Sequence, residues 1–193
     1  GIRDRSEEER GFLMSRPIDY VITQLQLSQF KMKLGDNKKS VMLNFQHPVK
    51  ELYFVSQSEE SVQNNYPNEY NTITNVKLQF NNETVFNRNT KFLGYEQPLK
   101  HHLNSPQIDI IALSSPFSNS VYHFGPASFG MYSFSLKPEV HYPTGQVNMS
   151  RITHKMLTME IDPINTIDDN NTRVYAVNYN VLRFESGLAG LKF

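Results

Sequence analysis

Apolar side chains in this 193-residue chain recur at every second position, and no stretch sustains the three-to-four spacing of an amphipathic helix. Tyr175, Val177, Tyr179 and Val181 share one parity, as do Leu157, Met159 and Ile161, and again Val76, Leu78 and Phe80. Period two is the signature of strands with one buried face. Between these runs stand Gly35-Asp36-Asn37, Asn81-Asn82, Lys137-Pro138 and Pro143-Thr144-Gly145, residue types that turn a chain rather than extend it. About eight strands emerge, so the chain reads as an all-β, two-sheet antiparallel sandwich. Its eight-stranded form with long loops is the jelly roll, and periodicity alone leaves an immunoglobulin-like sandwich open.

The alternation also predicts local detail. Ile18 to Lys33 places Val21, Leu25 and Leu27 on one parity and then Phe30 and Met32 on the other, which predicts a bulge within a long strand. Val41, Leu43 and Phe45 restart the alternation, and His47-Pro48 ends it. Lys50 to Gln57 reads as a central strand, residues 58–71 as a polar loop, and Val76 to Phe86 as a hairpin. Asn87 to Phe129 is a long connection, with one short helix within NTKFLGYEQPLKHHL. Gly130 to Leu136 predicts a strand with Tyr132, Phe134 and Leu136 on one face. Val147 to Ile161 predicts another, long and irregular in parity; Ser186-Gly187 breaks the chain before a last short strand in LAGLKF. Residues 1–16 hold four acidic and four basic side chains and predict a linker or short charged helix from an upstream domain, leaving 17–193 as the sandwich.

Composition excludes several functions. Nineteen basic side chains balance nineteen acidic ones, which argues against a protein that grips phosphate backbones or anionic membranes. No apolar run approaches the roughly 18 residues of a membrane span, so no membrane insertion is expected. With no cysteine, thiol nucleophiles, disulfides and Cys-ligated zinc are absent. Adjacent His101 and His102 would point to opposite faces of a strand and read as solvated loop residues, His47 as a turn residue, and His154 as a hydrogen-bonded strand residue. No nucleophile elbow, phosphate loop or dinucleotide fingerprint occurs, and the acidic pairs Glu59-Glu60 and Asp168-Asp169 fall in polar loops. No catalytic, cofactor-binding or metal-ligating residue is assigned, and the chain reads as non-enzymatic.

Three blocks in order carry a more specific signal. His47-Pro48-Val49-Lys50-Glu51-Leu52 resembles the HPVKEL stretch of major capsid proteins of nucleocytoplasmic large DNA viruses. Tyr132 to Glu139, followed by Tyr142-Pro143-Thr144-Gly145-Gln146-Val147-Asn148-Met149-Ser150-Arg151, is similar to their SFAL-x-PE, PSG and NFSRI block. Asn178-Tyr179-Asn180-Val181-Leu182-Arg183-Phe184-Glu185-Ser186-Gly187 resembles their NYNVLRI-x-SG strand.

The resemblance implies the second, C-terminal barrel of a double jelly roll. It implies a capsid subunit that trimerises into pseudo-hexagonal capsomers tiling an icosahedral shell, with neighbouring capsomers and minor capsid proteins as partners. The implied location is the virion, with assembly in the host cytoplasm. The residues it marks as structural or interface positions are His47, Pro48, Lys50, Glu51, Pro143, Gly145, Asn148, Ser150, Arg151, Asn178, Asn180 and Arg183. Pro143-Thr144-Gly145 is expected to be a tight turn, and Arg151 to bond a carboxylate within the barrel rather than across a subunit boundary. The alternative is a carbohydrate-recognition or host-attachment jelly roll using loop aromatics such as Tyr66 and Tyr70.

Overall fold

The computed structural model describes residues 11, 14–63, 70–103, 110–113, 121–124, 129–162, 168–185 and 188–193. The segment expected to be a linker and the loop carrying Tyr66 fall largely outside these, as does the break at Ser186-Gly187. Among the described residues no helix is long and apolar enough to cross a membrane.

Two antiparallel sheets face each other. The larger runs β1 (Ile18–Met32), β11 (Asn170–Glu185), β3 (Pro48–Ser58), β8 (Gly130–Ser133), with β12 (Leu188–Leu191) on β11 and β9 (Val147–Asn148) on β3. The smaller runs β2 (Lys38–Met42), β10 (Lys155–Ile161), β4 (Ile73–Phe80), β5 (Glu83–Asn89). A separate hairpin pairs β6 (Ile110–Leu113) with β7 (Val121–Phe124). The eight strands of the two main paths form the expected jelly roll: most connections cross from one sheet to the other, which locks the layers together.

Local chemistry explains the corners. Asn81 and Asn82 both adopt positive φ, 48° and 72°, the conformation of the primed hairpin turn that suits Asn, and they close β4 onto β5 as the sequence predicts. Gly35, at φ 90°, turns β1 into β2, across the sheets. On the smaller sheet the core lies where the parity rule puts it; on β11 it lies on the opposite parity, Val174 and Ala176, and the row Tyr175, Val177, Val181 faces outward. Leu157, Met159 and Ile161 meet Val76 and Leu78 on the smaller sheet, and Leu52, Phe54, Val174 and Ala176 face them from the larger. Tyr132 stacks on Phe86 with centroids 4.2 Å apart, and Phe134 packs edge-on to Tyr132. The connection after β5 carries a π-helical turn, Phe92–Glu96, and a short helix, Gln97–His101, which supplies the expected helix. A second short helix, Glu59–Gln63, opens the polar loop.

Three strand readings change. β1 pairs with β11 residue for residue from Ile18↔Phe184 to Met32↔Asn170, without the bulge expected near Phe30. The bulge lies on β3 instead: Val49 pairs Asn178 and Glu51 pairs Val177, leaving Lys50 as the extra residue. Val147 to Ile161 is not one strand, because Asn148 caps a 3-10 turn, Met149–Arg151, by accepting the Ser150 N–H at 3.1 Å. β8 stops at Ser133, and Leu136 is 74% exposed rather than in line with Tyr132 and Phe134. His154 is exposed and precedes β10; its backbone, not its ring, bonds Asn81.

Deleting side-chain volume at the centre should cost far more than at the misaligned edge. Leu157→Ala is expected to lower stability by about 2–5 kcal/mol, and Leu136→Ala by less than about 0.5 kcal/mol, in denaturant unfolding curves.

Candidate assembly surface

The two sheets present opposite kinds of outer face. On the smaller sheet Lys38 pairs with Glu160 at 2.7 Å, Ser40 bonds Thr158 at 2.7 Å, and Lys77 lies opposite Thr158. That face is an ordinary solvated one. On the larger sheet, Val21 pairs with Val181, Leu25 with Val177 and Leu27 with Tyr175, all on the side away from the core. Val21, Leu25 and Leu27 are more than half exposed.

The opposite parity of the same strands points inward, and over this stretch it is made of amides. Gln24, Gln26, Asn178 and Asn180 lie on the inner side; Asn178 and Asn180 are buried. Gln26 Nε2 donates to Asn178 Oδ1 at 2.9 Å and to the Gln46 carbonyl at 2.7 Å, while Gln26 Oε1 accepts the Gln46 N–H. Asn180 Nδ2 donates to Gln24 Oε1 and to the Phe193 carbonyl, each at 2.8 Å. Buried amides are tolerable when bonded in this way. The parity change read from the sequence is therefore real, but it marks an exchange of polarity between two faces of an unbroken ladder.

The three sequence blocks meet around the Lys50 bulge. His47, at φ 66°, donates its N–H to Ser150 Oγ at 2.8 Å and accepts the Met149 N–H through its carbonyl. Pro48 lies opposite Asn148. The bulge sends Lys50 outward, where its Nζ donates to the Pro138 carbonyl at 2.6 Å and lies 5.6 Å from the Tyr179 ring centroid. Burial pushes the Tyr179 phenol above its ordinary value.

Pro143-Thr144-Gly145, expected as a tight turn, is a bend at Thr144 held by bonds to the Ser135–Lys137 segment. Thr144 Oγ1 accepts the Lys137 N–H at 2.9 Å and hydrogen-bonds Ser135 Oγ at 2.6 Å. Gly145 takes φ 140°, and a Cβ there would stand 2.8 Å from the Phe134 carbonyl oxygen. Lys155 donates to the carbonyls of Met149 and Ile152 at 3.0 and 2.8 Å, and burial pulls its ammonium below the ordinary lysine value.

Arg151 corrects an expectation: it is exposed and pairs with no carboxylate among the described residues. The bidentate bond belongs to Arg183, whose Nε and Nη2 reach the Asp19 oxygens at 2.8 and 2.9 Å. Those bonds, with Lys192 nearby, hold the Asp19 carboxyl at about 2.

His102 is the other correction. It is no solvated loop histidine: its Nε2 lies 3.0 Å from Glu51 Oε2 and its Nδ1 3.0 Å from Glu139 Oε1. Its neighbour His101 reaches the Leu136 carbonyl at 3.3 Å. The available signal was Lys50-Glu51 itself, since two charges in a central strand demand partners. Among the described residues no group of three or more His, Cys, Asp or Glu side chains has the arrangement of a metal site.

Two facing antiparallel sheets joined by crossing connections define the jelly-roll class of protein, here with an apolar row left outward at one sheet edge. This chain belongs to the large eukaryotic DNA virus major capsid protein family, whose model matches residues 9–190. It is 35% identical to the major capsid protein of Pyramimonas orientalis virus over 91% of this chain and 43% of that relative. In fold it matches the PBCV-1 virus capsid with a TM-score of 0.71 at 21% identity, over 97% of this chain and 54% of that one. The Faustovirus major capsid protein matches with a TM-score of 0.65 at 12% identity, over 91% and 36%. The chain thus spans about half or less of the proteins it matches.

Gly145→Ala should destabilise the protein by roughly 1–3 kcal/mol, since both the positive φ and the Phe134 carbonyl oppose a side chain. A drop in unfolding midpoint measured by calorimetry checks this.

Proposed function

We propose that this chain is a structural unit of an icosahedral virion shell and acts without catalysis. Residues 17–193 form one barrel of a double-jelly-roll subunit, and residues 1–16 lead into it from the other barrel. Subunits trimerise into pseudo-hexagonal capsomers, which contact neighbouring capsomers and minor capsid proteins; assembly takes place in the host cytoplasm. Membership of the capsid family supports this reading.

The observation that carries it is the outward row Val21, Leu25, Leu27, with Tyr175, Val177 and Val181 beside it. A contiguous apolar face on a soluble protein marks a surface that another molecule covers. Obligate interfaces of the size a shell needs bury about 2,000 Å² or more, and a broad flat sheet supplies such area without long side chains to order. Zero net charge removes self-repulsion between copies. In this reading the face is covered by a further barrel of the same kind.

Electron microscopy of the full-length product tests the proposal: three-fold particles are expected, and monomers at high concentration would contradict it. Leu25→Glu is expected to weaken trimer formation by roughly thirtyfold or more, the effect of an interface hot spot of about 2 kcal/mol. Sedimentation velocity of wild type and variant reads the difference.

A further inference from the structure

The strands of the larger sheet outrun the core at one end. Along β1 the core ends at Phe30, and along β11 at Ala176. Past it, Asn180 Nδ2 donates to Gln24 Oε1 and to the Phe193 carbonyl, so a bonded amide layer closes the space between the sheets. Beyond that layer β1, β11 and β12 continue as a three-stranded overhang. Tyr20 lies opposite Leu182, Leu182 opposite Leu191, and Phe184 opposite Ala189.

The overhang has two unlike faces. Outward, Asp19 accepts from the Arg183 guanidinium at 2.8 and 2.9 Å, and Lys192 Nζ stands 3.5 Å away, an ionic face suited to water. Inward, on the parity that leads into the core, stand Tyr20, Ile22, Leu182, Phe184 and Leu191. Tyr20 and Phe184 meet edge to face with centroids 5.7 Å apart, yet they stay 52% and 40% exposed, and Leu191 53%. None of the five belongs to the core cluster. Strand ribbons draw their stability from packing an apolar face, so this face calls for a cover. It is a different surface from the outward row Val21, Leu25 and Leu27, which has the opposite parity on the same strand.

Size and position decide what covers it. Five side chains make a patch of about a few hundred Å², whereas stable interfaces between free partners bury roughly 1,200–2,000 Å² in total. So small a face holds a partner that is already tethered, because a short connection supplies the high effective concentration that area does not. The chain enters the sandwich at this very place: Ile18, the first residue of β1, pairs with Phe184. The chain spans 43% of its Pyramimonas orientalis virus relative, which leaves room for a second domain of similar size in such a polypeptide. We propose that the inner face of the overhang is the seat on which the upstream barrel of the same polypeptide docks. This rests on the double-barrel subunit proposed above, in which residues 1–16 tether that barrel beside the face. The outward row then joins subunits, and the overhang joins the two barrels within one subunit.

Photocrosslinking of the full-length protein tests the seat. Tyr20 is replaced by p-benzoylphenylalanine, which keeps an aromatic ring there, and subunits are co-assembled from a mixture of light and heavy-isotope-labelled chains. Mass spectrometry reads the adducts. They are expected to join position 20 to peptides N-terminal to residue 1, with both members of each pair carrying the same label. Mixed-label pairs in statistical proportion would mean that another subunit covers the face. Adducts confined to residues 1–193, or no protein adduct at all, would mean that the upstream barrel does not. Each of these results overturns the proposal. The same replacement at Phe184 serves if the Tyr20 variant does not fold. Failure of the shell reading shows separately, as the absence of three-fold particles, because the same-chain adduct is expected in monomeric Leu25→Glu subunits as well.

Discussion

The unbroken ladder between β1 and β11 governs the rest of this structure. All fifteen residues of β1 have a partner on β11, with no slip in register. Because the side-chain period in a strand is two, an uninterrupted ladder leaves no freedom to choose which residue faces the core. At one end the inward set brings Phe30, Met32, Val174 and Ala176 into the core together with the buried Asn170 and Thr172. Further along, the same parity brings Gln24, Gln26, Asn178 and Asn180 inside and leaves Val21, Leu25 and Leu27 outside. A bulge would have restored the usual polarity. Its absence fixes an apolar outer face and a bonded amide interior together.

Each half of that arrangement has a cost and a compensation. Burying an unbonded amide costs about 1–3 kcal/mol, and the Gln26–Asn178 and Asn180–Gln24 bonds remove most of it. Exposing three large aliphatic side chains forgoes about 1.5–3 kcal/mol apiece, which only a covering partner recovers. The smaller sheet has no comparable row: Lys38, Ser40 and Lys77 lie along its outer face, with Met42 exposed at the end of β2. The asymmetry between the sheets singles out one side of the barrel for packing.

Much of this was legible in the chain itself. Alternation located the core of β4 and β10 but chose the outward parity of β11, whose core residues are Val174 and Ala176, and Asn81-Asn82 announced a turn whose positive φ values the structure displays. The capsid resemblance rested on blocks that the fold brings together: Pro48 against Asn148, Lys50 against Pro138, Val49 against Asn178. What escaped were features that depend on a partner far away in sequence. A parity change looks the same whether the chain bulges or the environment inverts, so the bulge was placed on β1 rather than at Lys50. The 3-10 turn at Met149 depends on the Asn148 cap and on Lys155 gathering its carbonyls. Two adjacent histidines disclose nothing about which carboxylates the fold will place beside one of them.

These 193 residues contain no cysteine, so labelling of a thiol introduced at Leu25, read on the peptide that carries it, would report the covering of the apolar face. The rate of maleimide labelling of Leu25→Cys, compared between this chain alone and the assembled full-length shell, tests the central claim most directly. Fast labelling in the isolated chain and near-complete protection in the shell is the predicted result. Equal rates in the two would show that the outward apolar row remains in water, and would contradict the account.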